Sequence, residues 1–273
     1  MGDAADDLEW FEHRQATGYN PGRTNIMVDR LQGSTIVLHG PPKVGKTQLV
    51  AQFPGPVQWL ATEYGHRYIP DDQQKNLVQL TNEDGWADFK KFIASKVKFK
   101  KMKTLAVDTV AELYYACMKW VCDKNNWEHP QDGAHGKGWN TVKREFMHGL
   151  TRLADLCAQN NITTIFIDHS KEETIETATS SVEKVVCAMP GQCRNIILSI
   201  PDHIWFLGYG EKKAKDAFIN TTAKRALFVT GSGMVEAGCR DPEVITKIIM
   251  PLRKTSPYRQ IVKTLYGPKV EEQ

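Results

Sequence analysis

The sequence lacks any apolar run long enough to span a lipid bilayer, so it gives no sign of a helical membrane protein. The stretch Met1–Asp7 is acidic and has no apolar signal core, so we expect neither export nor a membrane partner. Cysteine is sparse, with six residues and no regular framework, a pattern typical of reduced thiols in a cytosol. These absences together predict a cytoplasmic protein.

The chain also lacks a strong charge of either sign, because its formal net charge is only +3 over 273 residues. Such a mild excess does not by itself imply a nucleic-acid partner. With 41% hydrophobic and 25% charged residues, the composition is that of an ordinary globular protein. Residues 1–32 are polar with a turn-rich break at Gly18–Gly22, so we predict a lead-in over 1–32 and one domain over 33–273.

One motif stands out, a complete G-x-x-x-x-G-K-[ST] phosphate-binding loop (P-loop) that begins after the apolar run Ser34–His39. A helical pattern follows it and ends before Pro54. Strand, loop and helix are the context in which this motif cradles the phosphates of a nucleotide. The predicted nucleotide-binding residues are Gly40, Pro41, Pro42, Lys43, Val44, Gly45, Lys46, Thr47 and Gln48.

Apolar runs alternate with helical stripes along the rest of the chain, which predicts a mainly parallel sheet with helices on both faces. The predicted fold is therefore an α/β P-loop NTPase core. Ligands of such sheets bind at the carboxyl ends of the strands. The P-loop, Asp108 and Asp168 all fall at predicted strand ends.

Asp108 ends the apolar strand Thr104–Asp108, as a Walker B aspartate does. We expect it to hold Mg²⁺ together with the hydroxyl of Thr47, while Lys46 reaches the β- and γ-phosphates of ATP. The alternative is that Asp108 only caps the helix that begins near Thr109.

The residue after Asp108 is a threonine, so the water-activating glutamate found there in many ATPases is missing. Glu63 follows the strand Val57–Ala61 and is the candidate for this role, because a carboxylate there would lie beside the P-loop. The alternative is an exposed loop glutamate without a catalytic role.

Asp168 and His169 end the next strand and are candidate sensors of the γ-phosphate. For His169, a plain structural histidine is an equally good interpretation. Polar segments follow both aspartate strands, and Asp123–Asn140 and Ser170–Gly191 are both predicted as long functional loops. In the first loop, Lys137 and Trp139 offer the charge and stacking surface that single-stranded nucleic acid uses, although Trp139 could instead pack on the following helix.

The residues resemble those of the phage-type RecA-like ATPases, which often act as single-strand annealing proteins in recombination. The resemblance covers roughly Met27 to Leu265. Beyond the P-loop it is carried by the segments Ala61–Glu63, Ala106–Thr109, Gly136–Trp139 and Ile165–Lys171.

This resemblance implies a RecA-like core with Glu63 as catalytic glutamate, Asp108 as Walker B, and ATP bound between subunits of a ring or filament. It further implies that single-stranded DNA binds at the two loops through Lys137, Trp139 and Lys171. A single-stranded-DNA-binding protein is an implied partner, and the cytoplasm of a bacterial host is the implied location if the chain is phage-encoded. A neighbouring subunit is expected to donate a basic residue to the γ-phosphate, and the candidates are Lys224, Arg225 and Arg240.

Three alternatives to a recombination ATPase stay open at this point. A helicase or helicase-loading motor could use the same core. A small-molecule kinase would need a compact arginine-rich lid, which the sequence does not show. A nucleotide-gated regulator would act through a protein partner without DNA.

Overall fold

The computed structural model describes residues 30–63, 67, 69–80, 84–95, 99, 101–176, 181–210, 224–232, 234–244, 248–249 and 251–267. Most of the predicted lead-in, residues 1–29, lies outside this part of the chain. Within the described part, Leu31 is fully buried, and its carbonyl oxygen accepts hydrogen bonds from Ser34 Oγ and Thr163 Oγ1. The last residues of the predicted lead-in therefore pack against the core.

The described strands form a mainly parallel, mixed sheet, as predicted. The strands are β1 (Thr35–Gly40), β2 (Val57–Ala61), β3 (Leu77–Gln79), β4 (Thr104–Asp108), β5 (Thr163–Glu176), β6 (Ser181–Cys187), β7 (His203–Gly210), β8 (Lys224–Phe228), β9 (Gly238–Cys239) and β10 (Ile248–Ile249). Their order is β10-β8-β7-β1-β5-β4-β2-β3, with β6 paired to β5 and β9 paired to β7. The central strands β7, β1, β5, β4, β2 and β3 are parallel, so their carboxyl ends meet at one edge.

Helices cover both faces of this sheet, which gives the α/β fold of a P-loop NTPase core. They are α1 (Lys46–Val50), α2 (Asp71–Gln74), α3 (Gly85–Ala94), α4 (Val110–Asn125), α5 (Lys137–Gln159), α6 (Gly191–Ser199) and α7 (Pro257–Tyr266). One apolar core lies between the sheet and α3 to α6, and a second lies between the sheet, α1 and α7. Neighbouring residues of β1 point alternately into these two cores, as in a strand buried on both faces. Among the described helices, none combines the length and apolar character needed to cross a bilayer.

The prediction of two long loops is wrong. Residues 123–140 contain the end of α4, two short 3-10 turns at Pro130–Asp132 and Ala134–Gly136, and the start of α5. Gly138 lies inside α5, where a Cβ atom would collide with the carbonyl oxygen of Pro130. The polar composition of this segment reflects a tightly packed helical connection, not an open loop.

The second segment is mainly a β-hairpin, because β5 continues to Glu176 and pairs antiparallel with β6. Most side chains of residues 170–176 and 181–185 are polar and at least partly exposed, as in a two-stranded ribbon with both faces open to solvent. Its first strand, β5, begins in the central sheet and continues beyond it, so the hairpin projects from the carboxyl edge where the candidate site lies.

Candidate nucleotide site

The P-loop connects β1 to α1, and its backbone requires glycine at two positions. A Cβ atom on Gly40 would collide with the carbonyl oxygen of Leu207, and Gly45 has a φ of +96°, in the left-handed region that favours glycine. The remaining predicted loop residues differ in exposure. Val44 is buried in the core, Pro41 is half-buried, and Pro42, Lys43 and Gln48 are exposed.

The Lys46 ammonium is hydrogen-bonded to the backbone of the P-loop. Its Nζ donates to the carbonyl oxygens of Gly40 at 2.8 Å and Pro41 at 3.0 Å. Burial lowers the pKa of Lys46, against the attraction of Asp108, Asp168 and Glu63. Within the described residues, no carboxylate lies within ion-pair distance of this ammonium. A buried cation held by neutral groups, without a carboxylate partner among the described residues, fits a site that receives a phosphate group.

Thr47 and Asp108 meet as the motif predicts. Thr47 Oγ1 donates to Asp108 Oδ2 at 2.9 Å. Asp108 is not the helix cap, because Thr109 occupies the N-cap position of α4. Burial raises the pKa of Asp108, while the hydrogen bond from Thr47 opposes that rise. A hydroxyl and a carboxylate side by side are the oxygen ligands that Mg²⁺ takes in phosphate sites, so the residues present fit this ion.

The Glu63 carboxylate lies beside this pair and accepts a hydrogen bond from the residue directly before α4. Thr109 Oγ1 donates to Glu63 Oε1 at 2.8 Å. The backbone N–H of Thr109 donates to Thr62 Oγ1 at 2.8 Å, which ties the end of β2 to the start of α4. The Glu63 side chain keeps 37% of its surface exposed, so water can reach it.

His169 joins the P-loop to Glu63. Its Nδ1 lies 3.4 Å from Lys46 Nζ and its Nε2 lies 3.6 Å from Glu63 Oε1. If Nδ1 accepts from the ammonium, the ring proton sits on Nε2 and faces the carboxylate. The contact with His169 is the main cause that lowers the pKa of Glu63, so the carboxylate is ionised at neutral pH.

Asp168, the other predicted sensor, is fully buried and is bonded to β6. Cys187 Sγ donates to Asp168 Oδ2 at 3.0 Å, and Asp168 Oδ1 has no hydrogen-bond partner within the described structure. Burial raises the pKa of Asp168. The structure thus places His169 in direct contact with the cluster and Asp168 at the root of the β5–β6 hairpin.

The three predicted DNA-binding residues lie on two separate elements. Lys137 and Trp139 are exposed in the first turn of α5, and the Trp139 ring stands edge-on to His129 with centroids 5.2 Å apart. Lys171 lies on the hairpin, where its Nζ is 3.7 Å from Glu173 Oε2.

The three candidates for a trans-acting base also differ in position. Lys224 is exposed at the start of β8, opposite Gly210 at the carboxyl end of β7. Arg225 contacts the P-loop of its own subunit, because a Cβ atom on Gly45 would lie 3.0 Å from Arg225 Nη1. Arg240 follows β9 near the opposite edge, where its backbone N–H donates to Asp202 and its guanidinium to the carbonyl of Ser199.

Sequence reasoning missed the supporting residues of the cluster. The sequence shows Thr109 as the residue that replaces a glutamate, and its hydroxyl directly after Asp108 is the signal that could have indicated a carboxylate partner. Cys187 and the Arg194–Glu236 ion pair were also missed, and no local pattern in the sequence marks either of them.

Comparison with known proteins adds one finding to this geometry. A family model described as an AAA domain (AAA_24) matches residues 32–240. The match includes the P-loop, Glu63, Asp108 and His169. The search of curated proteins found no match.

Proposed function

We propose that this chain, which belongs to the AAA domain family and is an AAA-type P-loop ATPase, depends on Mg²⁺ and couples ATP hydrolysis to single-stranded DNA. In this proposal it promotes annealing or recombination as a ring or filament, in the bacterial cytoplasm if it is phage-encoded. The observation that supports the catalytic part is the position of the His169 ring between two groups, with Lys46 Nζ 3.4 Å from Nδ1 and Glu63 Oε1 3.6 Å from Nε2.

Each residue of the cluster has a distinct task in hydrolysis. Lys46 leaves the loop carbonyls and neutralises charge on the β- and γ-phosphates. Mg²⁺, bound through Thr47 and Asp108, would neutralise charge on the same phosphates. Glu63, kept ionised by His169, orients the attacking water and takes its proton. Thr109 holds the Glu63 carboxylate towards the site and limits its rotation.

The proposed binding of single-stranded DNA is supported by the exposed first turn of α5. Trp139 keeps 39% of its surface exposed in the same helical turn as the exposed Lys137, and an exposed indole is a stacking platform for single strands. The resemblance to phage-type RecA-like ATPases points the same way. Lys171 contributes less positive charge to DNA binding than the sequence predicts, because Glu173 lies beside it.

The test is steady-state ATP hydrolysis alone, with single-stranded DNA and with duplex, at two salt concentrations. We expect stimulation by single strands that fades as salt rises, because phosphate contacts release counterions. Trp139→Ala should weaken the stimulation, whereas Tyr115→Ala, which removes another exposed aromatic ring on α4, should not. Equal turnover under all three conditions would remove DNA from the proposal.

The charge of the hairpin favours a second candidate function, a nucleotide-gated regulator with a protein partner. Its described residues carry four carboxylates and two ammonium groups, and acidic ribbons repel DNA. The carboxylates are Glu172, Glu173, Glu176 and Glu183, and the ammonium groups are Lys171 and Lys184. Slow turnover that no nucleic acid accelerates would support this function, and the next search would be for a basic protein partner.

A further inference from the structure

Arg225 is placed against the P-loop by the pairing of β8 with β7. Arg225 lies directly opposite Tyr209, and β7 runs beside β1, which carries the P-loop at its end. The guanidinium approaches Gly45 so closely that a methyl group there would lie 3.0 Å from Nη1. This contact is within one subunit.

Among the described residues, little balances the charge of this guanidinium. Arg225 Nη2 donates to the carbonyl oxygen of Arg253 at 3.1 Å, and among the described residues no carboxylate pairs with it. Burial lowers the pKa of Arg225, with only Tyr209 acting against that shift. A guanidinium has five N–H donors in a planar fork that matches phosphate oxygens, so most of its donors remain for an anion.

Tyr209 adds an aromatic surface to the same place. It is the cross-strand neighbour of Arg225 and keeps 60% of its surface exposed. Opposed residues of an antiparallel pair lie on the same face of the sheet. The Arg225 cation beside Gly45 and the exposed Tyr209 therefore share one face of the sheet, on the side of the P-loop away from strand β2 that precedes Glu63.

We propose that Arg225 binds the phosphate chain of the nucleotide held by its own subunit, with the Tyr209 ring beside it as a contact for the ribose or base. This inference rests on the proposed nucleotide site but not on DNA. It replaces the expectation that Arg225 acts on a neighbour's nucleotide, and it leaves Lys224, at the same edge, as the candidate for that role. No sequence motif indicated the contact that Tyr209 makes with the ribose or base in this proposal.

The first test is equilibrium binding of a fluorescent ATP analogue without DNA, at protein concentrations where light scattering shows a monomer. Arg225→Ala and Arg225→Gln should each raise Kd by about tenfold or more, because a charge-assisted hydrogen bond to phosphate is lost. Arg152→Ala, which removes an exposed arginine on α5, should leave Kd unchanged. Thermal unfolding of each variant separates lost binding from lost folding. Unchanged Kd in both Arg225 variants would overturn the inference.

The second test mixes the Arg225→Ala and Lys46→Ala variants in equal amounts and measures ATP hydrolysis. If Arg225 acts within its own subunit, each subunit carries one defect, and the mixture hydrolyses ATP no faster than the mean of the two variants measured alone. If Arg225 acts on the neighbour, mixed assemblies contain complete sites and hydrolysis exceeds that mean, which would overturn the inference. A wild type that binds ATP but ignores DNA would refute only the DNA proposal, since the binding test does not involve DNA.

Discussion

His169 Nε2 lies 3.6 Å from Glu63 Oε1, and this pair joins the segment after β2 to the middle of β5, across the intervening strand β4. The other ring nitrogen faces Lys46 at 3.4 Å. In the proposed function, Lys46 would move from the loop carbonyls to a phosphate, and the imidazole would then lose one partner while keeping the other. The proposed sensor role of His169 is this transfer of a change at the phosphate to Glu63 through one side chain.

Lys46→Ala should reduce ATP turnover by at least about 100-fold, because it removes the cation that stabilises charge on the transferred phosphoryl group. The measurement is steady-state phosphate release by the purified variant. Lys103→Ala, which removes an exposed lysine before β4, is the matched control and should keep wild-type turnover. Unchanged turnover in Lys46→Ala would refute the P-loop assignment.

Glu63→Gln should slow turnover by about 100-fold or more while ATP affinity changes little, since an amide can occupy the position but cannot accept the proton of water. Single-turnover hydrolysis and nucleotide binding are measured on the same preparation. Glu112→Gln, in the first turn of α4, serves as the control. Loss of binding together with turnover would mean that Glu63 has a structural role instead.

The pH dependence of turnover should follow Glu63. Its carboxylate must be ionised to act as a base, and its lowered pKa keeps it so below the ordinary glutamate value of about 4.3. Removing the main cause of that shift with His169→Ala should raise the pKa and move the acid limb of kcat to higher pH.

His169→Gln restores an N–H donor, so its acid limb should lie nearer that of the wild type. Turnover is measured across the acid range with circular dichroism at each pH as the check on folding. An acid limb that does not move in His169→Ala would contradict the assigned contact.

Arg194→Met should destabilise the fold by about 3 kcal/mol, because it leaves a largely buried carboxylate unpaired. Arg194 pairs with Glu236, and also with Glu173 at 2.9 Å on the hairpin. Glu236 in turn accepts from the backbone N–H of Cys187 at 2.9 Å. Urea unfolding at neutral pH measures the loss, and Arg152→Ala is the exposed-arginine control.

The same pair predicts how stability depends on pH. Burial opposes ionisation of Glu236, but the hydrogen bonds from Arg194 and Cys187 outweigh it and lower its pKa. A lowered folded-state pKa gives stability that is present above the unfolded value, about 4.3, and is lost as pH falls through the folded value. The wild type should lose more stability than Arg194→Met over that range. Parallel curves would exclude this role for the pair.

The sequence by itself determined the parts of the site that are local in the chain. Gly40–Thr47 specifies its own loop, because glycine backbone freedom and the flanking apolar runs need no distant partner. The sequence also predicted that Glu63, Asp108 and His169 lie at one edge of the sheet, because parallel strands bring their carboxyl ends together. The strand predictions at Val57–Ala61 and Thr104–Asp108 are confirmed residue for residue.

Only the tertiary structure decided what depends on pairing between distant segments. The two polar segments look like loops in sequence because exposed ribbons and tight helical connections use the same polar residues. Arg225 lies 180 residues beyond Gly45 along the chain, so its place at the P-loop depends on the register of β8 against β7. Such contacts leave no local pattern, because register and layer packing are set by the whole sheet and not by the residues that meet.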